Sequence, residues 1–442
     1  MAIKTPDTKV KTYSKFAVED PYTYLRGLHN YHDRAESVPG SLPLGQMHPQ
    51  KVKNFLYPDR ISGSPFVLPR KEGKQTTYYR TVPSTSIKQW NEEKSHPANC
   101  DYKEDNFDLS PNPVQWEPAA FQEDRDFLTG LQLLAASGDP NSRKGLAYHV
   151  YTAGKSMPAD HAFTSSDGDM LIIAQHGAID ITTEMGPMRV RPNEIAVIPR
   201  GIRFHVAVVD GPVRGYVVEV FIGHFELPEL GPLGSCGLAN ARDFEVPLLQ
   251  PHKPGPDTKI FNKFNGRIYS TTFKGTVFNV IAWHGSFFPF KYDLGKFNTV
   301  GSLTYDHTDP STLVVLTVAG ETPGIPLVDL AAIGPRWTVH EDTLRPAHAH
   351  RNVASEFYGW LTGGHKGEAP GTTSLYNGMC PHGVGREAWD KAIHAELAPV
   401  KPDPNSMAIM LESSHNLGIS KWGQSNKTLI GDRYDEFEIA QV

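Results

Sequence analysis

One eighty-residue passage constrains the fold more than anything else in the chain. From Leu146 to Phe225 the segments LAYHVYTAG, MLIIAQHGAIDITT, MRVRPNEIAVIPRG, IRFHVAVVD and RGYVVEVFIG follow one another, each broken by glycine, proline or a polar turn. Runs this short and β-branched, recurring about every eight to twelve residues, are strands of a sandwich or barrel. Similar runs resume later as RIYSTTF, VFNVIAW, STLVVLTV and SMAIMLESS. The chain is therefore expected to be mainly β. Helix is expected in two places: FQEDRDFLTGLQLLAASG, with apolar residues near helical spacing and a stop at Gly138, and the short REAWDKAIHAEL.

The β-rich passages fall into two halves with a loop-like stretch, Glu226 to about Thr258, between them. At 442 residues the chain is long enough for more than one domain. The expected division is 1–258 and 259–442. The segment SHPANCDYKEDNFDLSPNPVQW reads as a long surface connection.

Charge and cysteine usage exclude several function classes. Lys and Arg together number 43 against 49 Asp and Glu, a net charge of −6, and no basic run offers a nucleic-acid footprint. Cys100, Cys236 and Cys380 lie far apart, which suits a reducing compartment and argues against a disulfide framework. No apolar run approaches a membrane span, and MAIKTPDTKVKTYSKF holds no apolar leader segment. The expectation is a cytoplasmic protein that binds neither nucleic acid nor membrane.

Two motifs suggest what kind of β-structure this is. The stretch EIAVIPRGIRFHV carries P-x-G-x-x-x-H, and HAHRNVASEF supplies H-x-H followed by glutamate, then six residues and a glycine: His348, His350, Glu356 and Gly363. Both are one residue longer than the usual cupin spacing. Jelly rolls of this kind hold a metal in the barrel mouth on side chains of adjacent strands. Two cupin-like jelly-roll regions with flanking loops and a few short helices are therefore expected. The first half offers FTSSDGD where ligands would stand, so it is read as a metal-free scaffold, with His205 a buried or rim histidine. In the second half, His348 and His350 share a strand face, Glu356 rejoins it, and His382 in MCPHGVG is the candidate for a further ligand. Two imidazoles and a carboxylate form the facial triad of non-haem Fe(II) oxygenases, with three positions left open. Zinc would prefer a closed set, often with thiolates.

The chain resembles the homogentisate dioxygenase family over nearly its whole length. PGSLPLGQ, LYPDRISGSPF, FELPELGPLG, GLANARDF, VIAWHGSFFPFKYDL, TYDHTDPS, PRW, HRN, SEF and PHG carry the likeness. The resemblance implies bound Fe(2+), a small aromatic substrate with O2, and a hexamer built as a dimer of trimers. It places the iron ligands on His350, Glu356 and His382, and the acid/base histidine on His307. His348 stands where the family usually has tyrosine. Two further departures fall in the substrate pocket. The stretch TGGHKGEAPG is shorter than its family counterpart and carries His365, or nothing, where a tyrosine is usual, and SLYNGM carries Tyr376 in place of a histidine. The residues expected to meet substrate are thus His365, Tyr376, His348 and His382. The expected activity is ring cleavage of a para-hydroquinone, favouring a neutral one such as methoxyhydroquinone. The alternatives are homogentisate, opened to maleylacetoacetate, and a non-catalytic bicupin that only binds.

Overall fold

The structure is a computed structural model that describes residues 19–28, 33–229, 239–297, 299, 313–338, 348–364, 368–401 and 405–430. Among them the chain is mainly β, arranged in four sheets with a few short helical turns. In the first half the chain passes back and forth between a ten-stranded and a seven-stranded sheet. Lys144–Ala153, Asp169–His176, Glu194–Ile198 and Val213–Val220 belong to the larger sheet, and His161–Ser165, Ile179–Thr183 and Phe204–Val208 to the smaller. That alternation is the winding of a cupin-like jelly roll. Strands such as Asp169–His176 are buried along nearly their whole length because sheet, core and neighbouring segments cover both faces. The apolar cluster they build runs on without a break into Leu316, Leu330, Phe357 and Leu411 of the second half.

The helix expected over Phe121–Gly138 is not there. Its second part is the strand Leu131–Asp139, paired with Lys144–Ala153, and Phe121–Gly130 is an irregular lead-in. Short apolar runs do not separate a buried strand from a helix by periodicity alone. Here the hairpin decides: Gly138 and Gly145 adopt φ of +81° and +83° and face each other across the ladder, a conformation L side chains rarely adopt. The second expected helix is present as Arg386–Ile393.

Backbone pairing does not follow a cut at 258. Thr258–Phe264 pairs with His161–Ser165 and Arg267–Phe273 in the seven-stranded sheet, while Phe290–Asp293 joins the ten-stranded one. By their ladders the strands from 258 to 293 go with the first half. The halves also exchange strands. Val114–Trp116, in the segment expected to be a surface connection, is buried and lies beside Thr373–Tyr376, whereas Gly418–Ser420 lies beside Leu131–Asp139.

The sheet that bears the site has seven strands. At its centre Ser355–Thr362 runs between Thr373–Tyr376 and Met407–Ser413. Phe357, on one face of that strand, packs against Trp116, Tyr148 and Tyr216, with ring centroids 5.3–6.4 Å away. Alternation along the strand turns Glu356 to the opposite face.

Candidate metal centre

Three of the expected site residues meet. The ligand atoms of His350, Glu356 and His382 all lie within 4.8 Å of one another, the group among the described residues able to hold a metal ion. The two histidines are brought together by backbone, not by a common strand. His350 N–H donates to the His382 carbonyl (2.9 Å), and His382 N–H donates to the His350 carbonyl (3.1 Å). This reciprocal bridge sets the two residues directly opposite each other, ring centroids 4.3 Å apart. Gly383 permits the close approach, since a Cβ there would stand 2.8 Å from Ala349 Cα.

The expectation that His348 and His350 share one strand face with Glu356 is corrected. The strand begins at Ser355, and both histidines precede it. His348 is exposed, with its ring 6.2 Å from that of His350, and it does not join the cluster. Its backbone does contribute, because its carbonyl accepts from His350 Nδ1 at 3.0 Å. The Cys380 carbonyl accepts likewise from His382 Nδ1 at 3.0 Å. A carbonyl can only accept, so each Nδ1 carries the hydrogen and each Nε2 is turned inward as the donor for a metal. His382 Nε2 lies 3.1 Å from Glu356 Oε2, and His350 Nε2 lies 3.8 Å from Glu356 Oε1.

Electrostatics agree with a cation at this point. Burial opposes the charged form of Glu356, but a His382 imidazolium, whose Nε2 proton stands where a cation would, outweighs it and holds its pKa below the usual carboxylate range. Burial likewise pushes His382 down, while Glu356 and the Cys380 carbonyl together raise it. A buried carboxylate facing two inward ring nitrogens fits a 2-His-1-carboxylate metal well.

Register brings in two more residues. Glu356 sits opposite Tyr376 on one neighbouring strand and opposite Glu412 on the other. Tyr376 lies flat on His382, with ring centroids 4.3 Å apart and planes 22° apart. Asn352 donates to both Glu356 (3.1 Å) and Glu412 (2.9 Å). Sequence reasoning missed Asn352 and Glu412. The first could have been suspected from its place two residues after His350, but nothing in MLESS marks the second. His205, half-buried, is bound to the Met157 carbonyl and is not part of the cluster. His307 and His365 lie outside the described residues. Among the described residues no helix is long and apolar enough to cross a membrane.

Known proteins resemble this chain over both of its halves. Residues 23–294 match the family model described as homogentisate 1,2-dioxygenase N-terminal, and residues 295–440 match its C-terminal counterpart. Homogentisate 1,2-dioxygenase of Emericella nidulans is 44% identical over 430 residues, covering 96% of each chain. The human enzyme of that name is 40% identical over 407 residues, covering 90% of each. The solved structure of protein Ylba from E. coli overlaps 71% of this chain and 97% of its own, with a TM-score of 0.32 at 8% identity. Through matches that span both halves, and with the His350, Glu356 and His382 cluster in place, the chain belongs to the homogentisate 1,2-dioxygenase family of non-haem iron ring-cleaving dioxygenases.

Proposed function

We propose that the chain opens the ring of a para-hydroquinone with both atoms of O2, using Fe(II) held by His350, Glu356 and His382. The observation that carries this reading is the inward-turned pair of ring nitrogens flanking a buried carboxylate in a chain of this family. When bound there, Fe(II) supplies a Lewis acid for a phenolic oxygen and a template for dioxygen. The protein's own share is orientation and proton handling. His307, by resemblance the acid/base group, takes the proton of the substrate hydroxyl, a task suited to imidazole near neutral pH. The face of Tyr376 against His382 forms an apolar aromatic wall beside the ligands.

Among hydroquinones, we favour one with a small neutral substituent, such as methoxyhydroquinone. A side-chain carboxylate needs a charge-assisted partner once desolvated. Tyr376 is a neutral phenol where the resemblance places histidine, and the loop after Gly363 is short. The second reading is homogentisate, supported by the names of the relatives 40–44% identical to this chain; His365 or Lys366 would then meet the carboxylate. The measurement that separates them is kcat/KM for the two substrates at one pH after anaerobic loading with Fe(II). A preference for methoxyhydroquinone is expected. A tenfold advantage for homogentisate, about 1.4 kcal/mol in transition-state binding, would reverse the assignment, and absence of oxygen uptake with every hydroquinone would favour the bicupin that only binds. We place the enzyme in the cytoplasm as a hexamer, on the resemblance, with light scattering of the purified chain as the check.

A further inference from the structure

The geometry points to Asn352 and Glu412 as a clamp that makes Glu356 offer the metal one oxygen only. It deepens the metal-centre reading above and rests on it. The side-chain amide of Asn352 has one chemically consistent orientation. Its Oδ1 accepts from the Ala354 N–H at 3.2 Å, so its nitrogen points away, toward two carboxylates. The two hydrogens on that nitrogen go to Glu356 Oε1 at 3.1 Å and Glu412 Oε1 at 2.9 Å. Flipping the amide would set its oxygen against acceptors on one side and its N–H2 against a donor on the other, losing all three bonds.

The arrangement solves a problem that the sheet creates. Glu356 and Glu412 are directly opposed on adjacent antiparallel strands, where like charges repel. Asn352 stands between them and donates to each. Its own position is fixed from two sides: the Ala354 turn holds the side chain, and its carbonyl accepts from Met379 N–H at 2.6 Å, close to His382 in the chain.

The consequence concerns the two oxygens of Glu356. Oε1 accepts from Asn352 and lies 3.8 Å from His350 Nε2, whereas Oε2 is the oxygen nearer a ring nitrogen, 3.1 Å from His382 Nε2. The Asn352 bond engages one lone pair of Oε1 and fixes the tilt of the carboxylate, which favours binding through the unengaged Oε2. Freed from Asn352, it can turn both oxygens to the metal and fill one of the three positions that substrate and dioxygen need. Asn352 and Glu412 are positioning residues; neither belongs to the ligand cluster.

The test uses full-length protein loaded anaerobically with Fe(II), with nitric oxide as the probe of an open position. The readouts are nitric oxide affinity, the electron paramagnetic resonance line shape of the nitrosyl complex, and iron retention against a chelator. Asn352→Ala is expected to retain iron but to lose nitric oxide affinity by about 10–100-fold, with a changed line shape. Glu412→Gln keeps an acceptor for the Asn352 amide and is expected to stay within about twofold of wild type, whereas Glu412→Ala moves toward Asn352→Ala. Thermal unfolding of the metal-free variants reports folding. Where Asn352→Ala does not fold, Glu412→Ala carries the test, since it leaves the Ala354 turn intact. Wild-type nitric oxide affinity and line shape in both alanine variants would overturn the clamp while leaving the metal centre standing. Failure of the wild-type protein to hold iron would overturn the metal centre and the clamp with it.

Discussion

Glu356 is the residue on which the site turns. It is the charged member of the cluster, buried and placed between two imidazoles. Replacing it with alanine leaves a weak pair of nitrogens, so Glu356→Ala is expected to lose iron and activity together. His307→Ala is expected to keep its iron while turnover falls by about two to four orders of magnitude. Elemental analysis beside steady-state kinetics distinguishes the two outcomes; full iron in Glu356→Ala, or parallel iron loss in His307→Ala, would exchange their roles.

A second histidine shows how firmly chemistry can fix a charge state. His224 Nε2 donates to the Gly63 carbonyl at 3.0 Å, and its Nδ1 lies 2.7 Å from Asp169 Oδ2. Asp169 also accepts from Arg200, so it stays ionised and both ring nitrogens of His224 carry hydrogen. Burial pushes His224 down, but Asp169 outweighs burial, and the opposition of Arg200 and Lys74, and raises it. Its contribution is therefore complete below the ordinary value of 6.5 and is lost as pH rises through the raised folded value. For Asp169 burial raises the pKa, yet His224 and Arg200 hold it low, so its contribution is present above 3.8 and is lost as pH falls through the folded value. The pair thus stabilises most between those two limits. His224→Gln is expected to flatten the decline of Tm above pH 6.5, and identical Tm–pH slopes in the two proteins would contradict the assignment.

At the scale of elements, the site is a junction between one strand and one two-residue bridge. The strand is anchored from behind by Phe357 among Trp116, Tyr148 and Tyr216, while the bridge depends on Gly383 leaving room for Ala349. Gly383→Ala puts a Cβ 2.8 Å from Ala349 Cα and 3.3 Å from its nitrogen, so the backbone carrying His350 must shift. Iron affinity is expected to fall by about tenfold or more, with little change in the melting temperature of the metal-free protein. Chelator competition and thermal unfolding, measured on the same samples, test this. A loss of Tm without loss of affinity would mean the bridge is structural only.

Across the whole molecule, a fully buried charge ties elements of the first jelly roll together. Lys263, fully buried, donates to Asp167 at 2.9 Å and Glu219 at 2.6 Å, and thereby ties the Thr258–Phe264 strand to Val213–Val220 and to the SDGD turn. Burial opposes its charge, but the two carboxylates raise its pKa well above the ordinary value. Lys263→Met leaves two buried carboxylates without their cation and is expected to cost about 3–5 kcal/mol, read as a shift in denaturant midpoint at unchanged m-value. An unchanged midpoint would show that the carboxylates take up protons instead.

By itself the sequence determined the strand class and the family and singled out His350, Glu356 and His382 as candidate ligands, because alternation, glycine breaks and motif spacing are local properties. The helix expected at Phe121–Gly138 failed for the same reason: LQLLAAS is locally ambiguous, and only the partner strand Lys144–Ala153 makes it β. Nor does any local pattern encode that Lys263 finds Asp167 and Glu219 across some forty to a hundred residues of chain, or that the strands from 258 to 293 pair with those of the first half. Tertiary structure also decided that His350 and His382 meet through a backbone bridge, that His348 stays outside, and that strand register sets Glu412 and Tyr376 on either side of Glu356. Register is fixed by which whole face is buried, and that is a property of the assembled sheet rather than of any segment within it.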